Sequence, residues 1–420
     1  MRIQSITACQ LSVFIFCVLF GSSVQAESNW ANWRGPSYDG HSDEAGLPTE
    51  FSDKDIDWKV DLPGIGQSSP AIWGERIFLT TALDGGKQRV VFCLDRNDGR
   101  MMWKQTSWTG SEVEPIHRMN SWASATCATD GEHVYAFFGR GGGPHCYTVS
   151  GEHVWSRDLG AFASPWGTAA CPLLVGDLVI QNCDADEDAY ITALDKKTGK
   201  TVWKTKRDNK RGWSSPIVID TGKRKEVVVN GHTGARGYDP KTGKDLWFAK
   251  SVRGRGTPTV TPGNGRVHVL NGLSGAIYSV IPGGSGDISD TKQIAWSTIR
   301  KGGRDLPSPI IIGGSMLVMG MKGVLSRYDV QTGEESEKIR VGGNYSASPI
   351  AYSGMAAFIS ESGETVLIKP GKTPEVVSRS QLTKSLDEEI FRSSITPTEG
   401  QLFIRTTHTL YCIGDRKAAK

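Results

Sequence analysis

One phrase returns along this chain at near-regular intervals: an apolar strand end, an Asp, a turn closed by Gly, and a Trp four residues after the Gly. It reads Leu94-Asp95, Asp98-Gly99 and Trp103, then Leu194-Asp195, Thr198-Gly199 and Trp203, then Tyr238-Asp239, Thr242-Gly243 and Trp247. A fourth copy, Tyr328-Asp329 with Thr332-Gly333, lacks the Trp. An Asp in such a place accepts hydrogen bonds from the turn's own N–H groups, and Gly takes the positive φ that closes a hairpin. The Trp supplies a broad flat surface for packing against a neighbouring unit.

A second phrase opens each unit, Ser-Pro or a variant followed by β-branched residues. Its copies are Ser69-Pro70, Cys171-Pro172, Ser215-Pro216, Thr257-Pro258, Ser308-Pro309 and Ser348-Pro349, with Ser124-Ala125 and Ser394-Ile395 as degenerate versions. Successive spacings from position 70 are 55, 47, 44, 42, 51, 40 and 46 residues. Repeats of that length are four-stranded propeller blades. Trp155 and Trp296 fit the same end-of-unit slot as the other tryptophans. Trp58 precedes the first opening phrase, so 56–62 reads as an outer strand with no unit in front of it, while the last unit lacks one. Pairing the two removes both open sheet edges. The expectation is an all-β, eight-bladed propeller over residues 56–413, with seven blades as the alternative if the second or eighth is misread. Residues 27–55 are expected to run as an extended arm over the ring anchored by Trp30 and Trp33, and 414–420 as a polar tail.

Composition agrees. Fifty of 420 residues are Gly, about 12% against a usual ~7%, which suits many tight turns and leaves little room for long helices. With 48 basic against 45 acidic residues the net charge is +3, which argues against a dedicated nucleic-acid binder. Arg2, the apolar run 11–20 and the small-residue end Val24-Gln25-Ala26 have the form of an export signal cleaved after Ala26. Residue 27 is Glu and not Cys, so a lipid-modified N-terminus is not indicated, and no later run reaches the ~18 apolar residues of a membrane span. The mature chain is therefore expected to be soluble in the periplasm or secreted. Six cysteines follow the signal: Cys93, Cys127, Cys146, Cys171, Cys183 and Cys412. Spacing leaves their pairing open. Cys93, Cys146 and Cys412 sit in short apolar runs, where Cys serves as a small buried hydrophobe.

The phrases together, A-L-D-x-x-T-G-K-x-x-W with S-S-P-x-V, resemble the repeat of the pyrroloquinoline-quinone-type propellers, over about residues 56–413. Two kinds of protein share that repeat: quinoprotein alcohol and sugar dehydrogenases, and the non-catalytic BamB-like group, whose type member helps to assemble outer-membrane barrels. Trp33-Arg34-Gly35-Pro36 with Gly46-Leu47-Pro48 further resembles exported propellers of planctomycete-type bacteria. The dehydrogenase resemblance implies a vicinal Cys pair over the quinone and an acidic calcium site. This chain has no adjacent cysteines and no haem motif. The BamB-like resemblance implies a lipid-acceptor Cys, which is also missing.

Residues just before each inner strand should line one mouth of the central channel. These are His117, Arg118, Asn120 and Trp122, then Trp166, then Arg211 and Trp213. Arg253 and Arg255, Arg304 and Asp305, Tyr345 and Arg392 complete the ring. Arginines and tryptophans at one kind of position suit a carboxylate, a sulfate or a sugar acid, with Trp against a ring. Asp184, Asp186, Glu187 and Asp188 alternate like the start of a calcium loop but lack its Gly and final Glu, so a solvated acidic hairpin turn is the plainer reading. Gly139–Gly143 opens no helix and is a hairpin, not a phosphate loop. No histidine pair has metalloprotease spacing and no G-x-S-x-G elbow occurs. No resident cofactor is expected on the leading reading, a binding or scaffolding propeller for an exported or outer-membrane protein or a polysaccharide. Strand or helix contacts around Gln381–Glu389 could assist docking. The alternative is a quinone-dependent oxidoreductase with pyrroloquinoline quinone and Ca2+ at the arginine-rich mouth, the arginines holding the quinone's carboxylates.

Overall fold

The computed structural model describes residues 29–415 except 251–253, 273–274, 301–303, 305 and 385–388. It is an eight-bladed β-propeller, each blade an antiparallel sheet of four strands, the fourth blade carrying one more. The first blade runs Ala71–Trp73, Arg76–Leu83, Gln88–Asp95 and Met101–Thr109, from the channel outward. The two middle strands of a blade are almost wholly buried, inner strands such as Leu173–Val175 are buried at their start, and outer strands such as Thr201–Lys206 are mostly exposed. Two one-turn 3-10 segments, Asp53–Asp55 and Asp84–Gly86, are the helical elements of the described residues.

The recurring phrase forms the joint between blades. Asp195 Oδ1 accepts the Thr198 N–H at 2.8 Å, Gly199 N–H returns to the Asp195 carbonyl, and Gly199 sits at φ 66°. Asp239 with Gly243 and Asp329 with Gly333 repeat the arrangement. Each such Gly lies against the preceding blade's Trp, whose indole N–H reaches the same turn. Trp58 Nε1 donates to the Arg96 carbonyl, Trp103 to Val149, Trp155 to Lys196, Trp203 to Pro240 and Trp296 to Val330, at 2.7–3.1 Å. Trp247 departs from the pattern. The fifth blade has no Asp-Thr-Gly turn to receive it, and its indole donates instead to buried Glu226 at 2.7 Å. The connection there carries Gly286–Asp287, a parallel fifth strand on the outer edge of blade four.

Ring closure follows the expected route. Ile56–Asp61 pairs antiparallel with Thr409–Ile413, so the N-terminal strand completes the last blade, and Trp58 then packs on Gly99 of the first. The N-terminal arm differs from the expectation. Residues 33–38 coil into turns rather than extending, with Arg34, Gly35, Tyr38 and Gly40 at positive φ. The segment enters the channel from the end opposite the arginine-rich mouth. Trp30 bridges to Ile72, Ala31 accepts from Thr129, Arg34 donates to the Pro309 carbonyl and His41 bridges to Ala351, so inner strands of blades one, two, six and seven hold it. The chain then climbs over blades seven and eight, burying Leu47 and Phe51.

Two opening phrases shift by two residues. The inner strands of blades two and five begin at Ala128 and Thr261, which makes Thr126-Cys127 and Thr259-Val260 the true counterparts of Ser69-Pro70. Gln381 is the last residue of blade seven's outer strand, Leu382 is buried beyond it and Glu389 is fully buried, so this stretch offers no free additional strand in the described residues. All six described cysteines are buried and unpaired. The export signal and most of the polar tail lie outside the described residues.

Candidate functional site

A girdle of small side chains runs round the channel, one from each blade, two residues before each inner strand. The Ser69 N–H donates to Thr126 Oγ1, Thr126 to Cys171 Sγ, Cys171 to Ser215, Ser215 to Thr259, Thr259 to Ser308 and Ser308 to Ser348, at 2.9–3.2 Å. Ser394 N–H donates to Ser69 Oγ at 2.9 Å, which brings the ring back to its start. The Ser394 hydroxyl takes another donor, the indole N–H of Trp33, at 3.3 Å. Buried backbone donors must find partners, and a one-carbon hydroxyl or thiol is short enough to serve without filling the channel.

Trp33 closes the channel under this girdle. Arg34 lies against the Trp33 ring, 5.8 Å from its centre, and is buried with one guanidinium nitrogen on two backbone carbonyls. Burial pushes its pKa down to about 10. What remains above is a blind cup of about 230 Å³, open at one mouth. A neighbouring groove, bordered by Arg118, Arg304, Lys322, Tyr345, Glu361 and Arg392, shares part of its rim.

The wall combines aromatic rings and cations. Trp166 and Trp213 stack at 5.7 Å with 20° between planes, and His117 meets Trp166 edge-on. The guanidiniums of Arg255 and Arg211 lie 4.5 and 4.7 Å from the Trp166 ring. Arg211 is paired with Asp186 at 2.7 Å and Arg392 with Glu361 at 2.9 Å. Arg255 and Arg304 have no carboxylate partner among the described residues. Burial, then Arg304 and Arg211, lowers the Arg255 pKa, and burial, then four nearby arginines, lowers that of His117. A cleft lined by one sign of charge with apolar walls concentrates its field on an entering counter-ion.

Of the residues anticipated from the sequence, His117, Asn120, Trp166, Trp213, Arg255, Arg304 and Arg392 line the cup. Arg118 and buried Tyr345 border the groove, and Arg211 reaches the cup through Trp166. Trp122 is elsewhere, packed on Gly86 with its indole on the Glu114 carbonyl. Arg253 and Asp305 fall outside the described residues. The acidic turn is not simply solvated. Asp184 is buried in an ion pair with Arg207 at 2.6 Å, Asp186 is on Arg211, and Glu187 and Asp188 are exposed. Among the described residues no three His, Cys, Asp or Glu side chains gather as a metal site. Sequence reasoning missed Trp33 as floor and the girdle hydroxyls. The signal for the latter is the Ser or Thr of most opening phrases, which marks where a unit begins without showing that its hydroxyl reaches the next blade.

Fold and cup define a quinone-repeat propeller with a closed channel. The chain belongs to the family described as outer membrane protein assembly factor BamB, whose model matches residues 86–339. Among curated proteins it is 28% identical over 155 residues to outer membrane protein assembly factor BamB of Moranella endobia, covering 37% of this chain and 36% of that protein. It is 35% identical over 96 residues to quinoprotein alcohol dehydrogenase PedH of Pseudomonas putida, covering 21% and 16%. The chain thus spans about a third of the first relative's length (36%) and a sixth of the second's (16%). Among solved structures, a europium-containing methanol dehydrogenase superposes with a TM-score of 0.69 over 92% of this chain and 98% of its own at 10% identity. BamB from Moraxella catarrhalis gives 0.61 over 85% and 98% at 15% identity. At such identities the likeness is one of fold, and propellers host unrelated activities.

Proposed function

We propose that this chain is a non-catalytic binding or scaffolding propeller of the cell envelope whose cup receives an anionic group of a protein or glycan partner. The observation that supports this reading is the pair Arg255 and Arg304, two guanidiniums with no carboxylate partner among the described residues, beside stacked Trp166 and Trp213 over a sealed floor. Burial and the neighbouring Arg304 and Arg211 both disfavour the charge on Arg255, and an incoming carboxylate or sulfate offsets both. Family membership supports an envelope setting and a protein partner. No helix of the described residues is long and apolar enough to cross a membrane.

A second reading, a quinone-dependent oxidoreductase, draws on the same guanidiniums, which suit the carboxylates of pyrroloquinoline quinone. The donor set does not suit the accompanying Ca2+, because Asp186 and Glu361 beside the cup are each held by an arginine. The test is calorimetric titration of the mature protein with trigalacturonate, poly-glutamate, neutral maltotriose, and quinone plus Ca2+ with dye reduction. Binding of an acidic probe that Arg255→Ala with Arg304→Ala weakens at least tenfold is expected. Equal binding by that double variant, or substrate-dependent dye reduction by the wild type, would refute the reading.

A further inference from the structure

The girdle holds more hydrogen-bond donors than the fold uses. Its hydroxyls at Ser69, Thr126, Ser215, Thr259, Ser308 and Ser348 each accept one backbone N–H, and all line the cup while being more than nine-tenths buried. Ser394 does the same with the Trp33 indole. A hydroxyl is one donor as well as an acceptor. Thr126 and Ser215 also share a side-chain hydrogen bond with the Cys171 thiol, whereas among the described residues the hydroxyls of Ser69, Thr259, Ser308, Ser348 and Ser394 donate to no protein acceptor, so each of these O–H groups is left to a cup occupant. Water can meet that need in the free protein. A ligand that displaces the water must replace its bonds.

A carboxylate alone is a poor match for such a ring. Its two oxygens accept about four hydrogen bonds, which Arg255 and Arg304 already supply. Five further donors around one axis call for several more oxygens at that level. The cup is also blind, because Trp33 fills the channel beneath the girdle, so what reaches the hydroxyls is the end of a molecule and not a strand passing through. A stacked indole pair stands in the wall to pack against the apolar face of a ring. We infer that the cup takes the terminal residue of an acidic saccharide, a uronic-acid type of sugar. Its ring hydroxyls bond to the girdle and its carboxylate to Arg255 and Arg304. This rests on the binding reading above and narrows it from any anion to a polyhydroxylated one.

Cys171 provides a way to test the girdle without breaking it, since its thiol already accepts a girdle N–H at 3.2 Å where other blades use a hydroxyl. Ser308→Cys and Ser348→Cys should keep the backbone bond and lose a strong donor toward the ligand. Titration with trigalacturonate, poly-glutamate and inorganic sulfate is then compared across wild type, each Cys variant and an outer-strand control, Thr201→Ser. Trigalacturonate is expected to bind the wild type best, and about five- to tenfold more weakly to each Cys variant. Thermal unfolding should be unchanged for all variants, which keeps a folding defect separate from lost recognition. Preference for poly-glutamate, or trigalacturonate binding indifferent to both Cys substitutions, would overturn the saccharide assignment while leaving the anion cup standing. Failure of all three anions to bind would overturn both.

Discussion

At the residue scale the joints between blades depend on a missing Cβ. Gly243 sits at φ 70°, and a Cβ there would stand 2.4 Å from the Trp203 ring. Gly222 has a similar φ of 76° with nothing within 4 Å. The pair separates backbone strain from lost packing. Gly222→Ala should cost about 1–2 kcal/mol, the left-handed penalty alone, and Gly243→Ala about 2–4 kcal/mol because the indole must also move. Urea unfolding measures both, and equal losses would show that the Trp contact contributes nothing. The Asp, Gly and Trp of this joint were legible in the sequence because their chemistry is local: a turn fixes its own residue types. The girdle was not, because a Ser before Pro looks the same whether its hydroxyl caps its own turn or reaches the next blade.

Single blades were legible to within a few residues, and the misreadings have physical causes. Ser124-Ala125 and Thr257-Pro258 imitate the opening phrase two residues early, because a hydroxyl residue stands at both the false and the true position. The arm was misread for a different reason. Its Trp33-Arg34-Gly35-Pro36 turn is stabilised by carbonyls of distant blades, which no local pattern announces. Blade two also carries a titratable clasp in its hairpin. His145 is buried, bonded by Nε2 to the Gly142 carbonyl and by Nδ1 to the Ser156 hydroxyl. Nε2 donates to the carbonyl, and a neutral ring can accept the Ser156 hydroxyl at Nδ1, so both contacts are met without a charge. Burial drives its pKa from 6.5 down to about 4. The unfolded chain binds a proton below about pH 6.5 that the folded one refuses. Stability from this group is therefore full above that pH and falls away as pH drops to about 4, by about 3 kcal/mol. His145→Gln keeps one donor and one acceptor without titrating, so between pH 7 and 4.5 it should lose less stability than wild type by roughly this amount. Parallel pH curves for the two proteins would contradict the assignment.

For the whole molecule, what matters is that a closed ring encloses a central channel and the N-terminal arm turns that channel from a tunnel into a cup. Blade count, closure by Ile56–Asp61 and the arginine-rich mouth were all readable from spacing, since each is a property of the repeat. Depth was not, because it depends on Trp33 crossing the ring to Ser394, 361 residues away. The outer blade edges remain the competing place for a partner to dock. Hydrogen exchange of the protein with and without saturating trigalacturonate distinguishes the two most directly. Protection confined to the mouth segments around residues 116–122, 211–215 and 254–259, with the outer strands unchanged, is the expected result. Protection on the outer strands with the mouth unchanged would contradict the claim that this propeller binds through its sealed cup.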